Sequence, residues 1–254
     1  LRVQGATLEG FIAIADPMRA EVERELALPA SRVSVIPDPA LSRCELQQFS
    51  ASRTARNSQT GCCFLTIGRF AAQKNQILLL EAFARHARPE DTLVLAGDGP
   101  ERERLRERAN ALGLRSRVRF VGHTDDVRVL YAEADVFVLS SHYEGVPAVI
   151  LEALAAGLPI AATNCCVSME WLTGYGQFGV VVPPCDPETL GLAMNATRHL
   201  RPDHTAMLHL AASFTLESSS QLYLSKLTAL VSETHRRRRE KMLGGVRVWP
   251  GDGV

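Results

Sequence analysis

Six short apolar runs constrain this chain more than any other feature: Cys62–Ile67, Thr92–Ala96, Val118–Val121, Val136–Leu139, Pro159–Ala162 and Val180–Val182. Segments of helical character lie between and after them, at Gln76–Ala87, Glu101–Leu112, Val127–Ala132, Ala148–Ala156 and Pro187–Leu200. Strands this short and this apolar are buried on both faces, and strands that alternate with helices pair in parallel. The predicted fold class is α/β, a Rossmann-like doubly wound parallel sheet. Such sheets bind ligands in the crevice beyond the C-terminal strand ends.

The helix predicted at Ala148–Ala156 carries an anomaly. Pro147 suits a first helical turn, where a missing N–H costs nothing, and Gly157 with Pro159 is a stop signal. Between those marks only Glu152 is polar, and a helix that is apolar all round is buried. Burying a lone carboxylate costs on the order of several kcal/mol, so Glu152 requires a cation or hydrogen-bond donors. Glu144 stands just before the helix, beside its free N–H groups and positive dipole end. Glu152 lies roughly 7.5 Å further along the axis from Pro147, at about 1.5 Å per residue. A ligand with hydroxyls at both ends and phosphates between them suits this pattern, and a nucleotide-sugar is one. The other reading pairs Glu152 with a core arginine, and this segment alone leaves both open.

Gly68-Arg69 follows the first of the six runs directly, with Lys74 five residues beyond. Glycine at a strand end lets backbone approach a ligand, and Arg and Lys from one loop can hold a diphosphate. Gly97-Asp-Gly99-Pro invites a dinucleotide reading, but Arg102 occupies the third glycine position and 117–121 lacks the acidic residue that would follow. No nicotinamide cofactor is expected. The chain has no Asp-x-Asp, and Asp125-Asp126 reads as a helix start near Thr124. His123 and His142 read as loop histidines rather than acid–base catalysts.

The segment Glu144-Gly-Val-Pro-Ala-Val-Ile-Leu-Glu152, followed by Ala-x-Gly157-x-Pro159, resembles the signature of glycosyltransferase family 4, of GT-B fold. Ile67-Gly-Arg-Phe70 with Lys74-Asn75, Leu95-Ala-Gly-Asp-Gly-Pro100, Val118-Arg-Phe-Val-Gly122 and Ala134-Asp-Val-Phe-Val-Leu-Ser140 match the same family in order. The resemblance covers roughly Cys62 to Arg198. It implies a metal-independent, retaining enzyme that moves a sugar from a UDP- or GDP-linked donor to a saccharide or lipid-linked acceptor, without a further cofactor. It implies catalytic roles for Arg69, Lys74 and Glu144, the two cations holding the pyrophosphate as it leaves. Glu152 would bind the ribose diol, and Gly145, Val146 and Pro147 would face the donor sugar. Gly68 borders the phosphates, and Gly122 and His123 lie near the base. Polysaccharide biosynthesis at the cytoplasmic face of a membrane fits the family. A non-catalytic nucleotide-sugar-binding module, or a GT-B epimerase or phosphorylase, are the alternatives.

The 254 residues hold 28 basic and 28 acidic side chains, so no basic surface points to nucleic acid. Six cysteines show no metal-ligand spacing and suggest a reducing compartment. Five divisions are expected. Residues 1–40 resemble the end of an N-terminal acceptor-side domain, with a strand at Phe11–Ala15, a helix at Met18–Leu28 and a strand at Val33–Ile36. Ala15 and Asp38 replace that family's usual Ser and Asn, and most of the domain is expected to be missing. Residues 41–60 read as a polar linker and 61–200 as the donor-binding domain. Residues 201–232 read as two C-terminal helical segments. In 233–254 the run His235-Arg-Arg-Arg-Arg239 reads as a solvated, disordered tail, with attraction to an anionic membrane as the alternative.

Overall fold

The computed structural model describes residues 10–52 and 61–243. Strands β1 (Phe11–Ala13) and β2 (Val33–Val35) pair in parallel across helix α1 (Met18–Leu26). Helix α2 (Arg43–Ser52) leads into the main sheet. That sheet comprises β3 (Cys63–Ile67), β4 (Thr92–Ala96), β5 (Val118–Gly122), β6 (Val136–Leu139), β7 (Ile160–Thr163) and β8 (Gly179–Val182). Its order is β5-β4-β3-β6-β7-β8, and every pairing is parallel. The expected strands are therefore all present, with ends displaced by one residue.

Helices α3 (Gln76–His86), α4 (Arg102–Ala111), α5 (Arg128–Glu133), α6 (Ala148–Ala155), the short α7 (Met169–Leu172) and α8 (Pro187–Thr197) connect or follow the strands. Period-two alternation divides the core between the two faces. Phe64, Leu93, Leu95, Val136 and Val138 pack towards α3, α4 and α8. Leu65, Val94, Phe137, Leu139 and Ile160 pack towards α5, α6 and α9 (His204–Ala212). At the edge of the sheet away from the strand C-termini, fully buried Asp91 binds Arg198 through two contacts, 2.8 and 3.3 Å. The same carboxylate accepts the amides of Cys62 at 2.9 Å and Arg88 at 2.7 Å.

Two expectations need correction. The polar stretch 41–60 is not simply a linker, because Arg43–Ser52 form α2, and 53–60 lie outside the described residues. A reciprocal capping box starts that helix. The Ser42 amide donates to Glu45 Oε2 at 2.7 Å, and the Glu45 amide donates to Ser42 Oγ at 3.1 Å. Phe49 then anchors it in the core. The basic run also differs from expectation: it lies on α10 (Leu216–Leu243), a helix longer than the predicted segment, while 244–254 fall outside the described residues. Residues 37–41 are tied to this end of the chain. The Leu216 amide donates to the Leu41 carbonyl at 2.8 Å, and Ser219 Oγ to the Pro37 carbonyl at 2.7 Å. Among the described residues no helix is long and apolar enough to cross a membrane.

Candidate functional site

The chain runs from β3 outward to β5, then returns to the other side of β3 as β6. Where strand order reverses, the loops leaving neighbouring strands part company and leave a crevice. The loop after β3 carries Gly68, Arg69 and Lys74, and the loop after β6 carries Ser140 to Pro147. These loops are joined. Ser140 Oγ donates to the Lys74 carbonyl at 2.9 Å, the His142 amide to the Gln73 carbonyl at 2.8 Å, and Gln73 Nε2 to the Tyr143 carbonyl at 2.8 Å.

Across this junction Lys74 Nζ meets Glu144 Oε1 at 2.5 Å, and Ser141 Oγ donates to the same oxygen at 2.6 Å. The Glu144 side chain is only 9% exposed, so the ammonium and hydroxyl replace most of its water. Its amide donates to the Cys165 carbonyl at 2.9 Å, which anchors the loop to the end of β7. Arg69 is exposed, and its guanidinium has no hydrogen-bond or ion-pair partner among the described residues. Pro147 is the N-cap of α6, and no side chain caps that helix. The loops at the crevice thus carry a free cation, a shared cation and an uncapped helix start, a set suited to an anion.

The Gly97-Asp-Gly-Pro turn braces the β3 loop from the other side. Gly68 donates to Ala96 at 3.0 Å, Phe70 to Asp98 at 2.9 Å, and Glu101 to Phe70 at 3.0 Å, all through backbone groups. A Cβ on Gly97 would lie 2.0 Å from the Gly68 carbonyl oxygen, and one on Gly99 2.4 Å from that of Phe70. The glycines permit this approach of backbone to backbone.

Glu152 occupies a separate cluster one turn into α6. Its Oε2 accepts from the Tyr131 hydroxyl at 2.8 Å, and no arginine or lysine pairs with it among the described residues. The core-arginine reading is thereby excluded. Burial is the main influence on its carboxyl and raises the pKa above the ordinary 4.5. Tyr131 partly opposes this rise, and the charge of Glu45 adds to it. Tyr131 was not singled out in the sequence. It is fully buried on α5, edge-on to Phe49 of α2 at 5.3 Å and stacked on Phe137 at 5.6 Å. The supposed linker thus packs behind the residue that holds Glu152. No hydrogen bond or ion pair joins Glu152 to Lys74 or Glu144.

Glu152→Gln keeps an acceptor for Tyr131 and removes a carboxylate that is costly to bury. The sign is set by the raised pKa. The wild-type fold holds an extra proton above pH 4.5, so this group's contribution to stability declines as pH rises through the folded-state value. The melting temperature of Glu152→Gln relative to wild type is expected to rise across that window, in scans between about pH 4.5 and 7. A melting difference that is flat with pH would show that the carboxylate is not strained.

The remaining sequence candidates lie further out. Gly122 ends β5 with φ 81° and accepts from the Gly97 amide at 2.7 Å, which places it one turn removed from the β3 loop. His123 beside it is exposed, 3.6 Å from Asp125, and no contact links it to the Lys74–Glu144 pair. His142 lines a cleft of about 170 Å³ at the start of α3, with Asn75, Gln76, Glu101 and Arg104. That cleft adjoins the ion pair but contains neither member, so the polar geometry at the strand ends, not the cavity, defines the site. Gly145 approaches the N-terminal segment: a Cβ there would lie 3.8 Å from Ile14 Cδ1.

A model of the family described as glycosyl transferases group 1 matches residues 51–207, more than half of the chain, and the chain belongs to that family. It is 36% identical over 170 residues to the lipopolysaccharide core biosynthesis glycosyltransferase LpsE of Rhizobium meliloti, covering 65% of this chain and 49% of that protein. The chain thus spans about half the length of that relative. Its fold is shared with Anabaena HepE, solved in complex with UDP, at TM-score 0.72 and 22% identity over 87% of this chain and 64% of that one. The lipopolysaccharide outer core galactosyltransferase WaaB, in its apo form, gives TM-score 0.74 and 20% identity, covering 88% and 63%. The Rossmann-like sheet is that of GT-B glycosyltransferases.

Proposed function

We propose that this chain is the donor-binding half of a retaining, family 4-type hexosyltransferase that uses a nucleoside-diphosphate sugar without a metal ion. The observation that carries this reading is the Lys74–Glu144 pair at the point where strand order reverses, with the unpartnered, exposed Arg69 on the same loop as Lys74. Two cations and the start of α6 supply the positive potential that a departing diphosphate requires, and fixed charges in a shielded crevice stabilise it without reorganisation. Glu152, already holding one donor, accepts hydrogen bonds from the ribose diol. The UDP in the Anabaena neighbour and the lipopolysaccharide role named for LpsE support a sugar donor and a saccharide or lipid-linked acceptor.

Titration calorimetry with UDP, GDP and ADP tests this directly. At least one is expected to bind, and Arg69→Ala is expected to weaken that binding about 10-fold to 100-fold, the scale of one charged hydrogen bond. Exposed Arg69 supports nothing in the fold, so its loss leaves the melting temperature unchanged. The proposal fails if no nucleoside diphosphate binds the wild-type chain.

A further inference from the structure

The adjacent cysteines Cys165 and Cys166 stand immediately after β7, in the turn whose backbone holds Glu144. Both are free thiols; Cys165 is buried and Cys166 partly exposed. The Cys165 carbonyl, which accepts the Glu144 amide at 2.9 Å, belongs to the peptide joining the two cysteines. Any bond between their sulfurs closes a ring that contains this peptide. We propose that Cys165–Cys166 is a peroxide-reactive dithiol whose reversible closure to a disulfide releases the Glu144 amide and weakens donor binding. The second half of this proposal rests on the nucleotide-binding reading above, and the first does not.

The chemistry follows from the two environments. The neighbouring Cys165 thiol holds the Cys166 pKa below the ordinary 9.0; the amides of Ser168 and Met169 act in the same direction, while burial and the charge of Glu144 oppose them. Cys166, the partly exposed member of the pair, is therefore the nucleophile. Its thiolate attacks hydrogen peroxide: a sulfur–oxygen bond forms, the oxygen–oxygen bond breaks, and the departing hydroxide takes up a proton as water. Cys165, losing its proton, then attacks the sulfenic sulfur; the sulfur–sulfur bond forms and the oxygen leaves as a second water. Two thiols are oxidised by two electrons and one peroxide is reduced. The Ser168 hydroxyl, fully buried and without a partner, is a spare donor in the turn for the transient sulfenic oxygen.

Adjacent Cα atoms are about 3.8 Å apart across a trans peptide, less than the ~4.4 Å lower end for ordinary disulfides, so the ring is strained. Strained disulfides are readily reduced, which makes the site reversible. Strain also turns the peptide, and the carbonyl of that peptide is the acceptor for Glu144. Cys62 and Cys63 form a second adjacent pair that provides an internal contrast. Both are buried at the start of β3, whereas Cys166 in the 165–166 pair is open to solvent on one side.

The test treats the full chain with hydrogen peroxide, then with dithiothreitol. Peptide mapping is expected to show the 165–166 peptide lighter by two hydrogens after peroxide and restored by dithiothreitol, with 62–63 unchanged. Hydrogen exchange of the 140–147 segment is expected to accelerate on oxidation, and affinity for UDP to fall about tenfold or more, the scale of one lost hydrogen bond at a charged site. Cys166→Ser is expected to abolish all three responses. No cross-link at 165–166, or a cross-link with unchanged exchange at 140–147, overturns the proposal. A cross-link with faster exchange, in a protein whose reduced form binds no nucleotide, sustains the redox site and refutes only the donor-binding reading.

Discussion

On the proposed function, Lys74→Met is expected to lower turnover by about 10²–10³, the scale of one preorganised cation that stabilises a leaving phosphate. The same change leaves the nearly buried Glu144 carboxylate with the Ser141 hydroxyl as its remaining side-chain partner. Removing one member of a shielded pair costs stability through the charge left behind. The two effects separate in a double variant. Lys74→Met with Glu144→Gln restores the melting temperature towards wild type, since no orphaned charge remains, but does not restore turnover. Melting curves and kcat/KM measured on wild type, both single variants and the double variant check this. Turnover within about threefold of wild type in Lys74→Met would contradict the assigned role.

Asp91→Ala is expected to be the most destabilising single substitution at the opposite end of the sheet, by about 3–5 kcal/mol. Burial alone would raise the Asp91 pKa, but hydrogen bonds from Arg198 and from the Cys62 and Arg88 amides outweigh it and hold the pKa below the ordinary 3.8. The alanine variant leaves a guanidinium only 6% exposed with no carboxylate and only the Asn195 side-chain carbonyl oxygen to donate to, and unbinds three segments at once: the start of β3, the turn before β4 and the end of α8. A fall in melting temperature of roughly 10 °C or more follows for a domain of this size. A depressed carboxyl pKa gives stability that is present above 3.8 and lost as pH falls through the folded value. Acid unfolding of wild type should therefore show a component that the variant lacks. A shift below about 2 °C at neutral pH would show that the pair contributes little.

The parts of this fold legible in the sequence were those written in one local pattern. Each strand announced itself as a short, mainly apolar run, and the helix stop at Gly157 followed from punctuation. Lys74 and Glu144, seventy residues apart, were grouped only through the family resemblance; the strand order that sets β3 beside β6 is what brings them together. Helix α2 escaped because its sequence, Arg43-Cys-Glu-Leu-Gln-Gln-Phe-Ser-Ala-Ser52, buries one aromatic ring and little else. The Ser42-x-x-Glu45 capping box was the available signal. Tyr131 escaped for another reason: on a six-residue helix its hydroxyl had no partner within local reach, and only tertiary packing brings it to Glu152. His123, singled out by motif position, stands exposed beside its own loop's Asp125.

The place of α2 bears on how pieces of this protein can be made. A recombinant fragment started at Gly61, where the alternating strands begin, would omit Phe49 and bare one side of the Tyr131 ring. Such a piece would expose apolar surface behind the side chain that donates to Glu152, so trimming is best stopped upstream of Ser42.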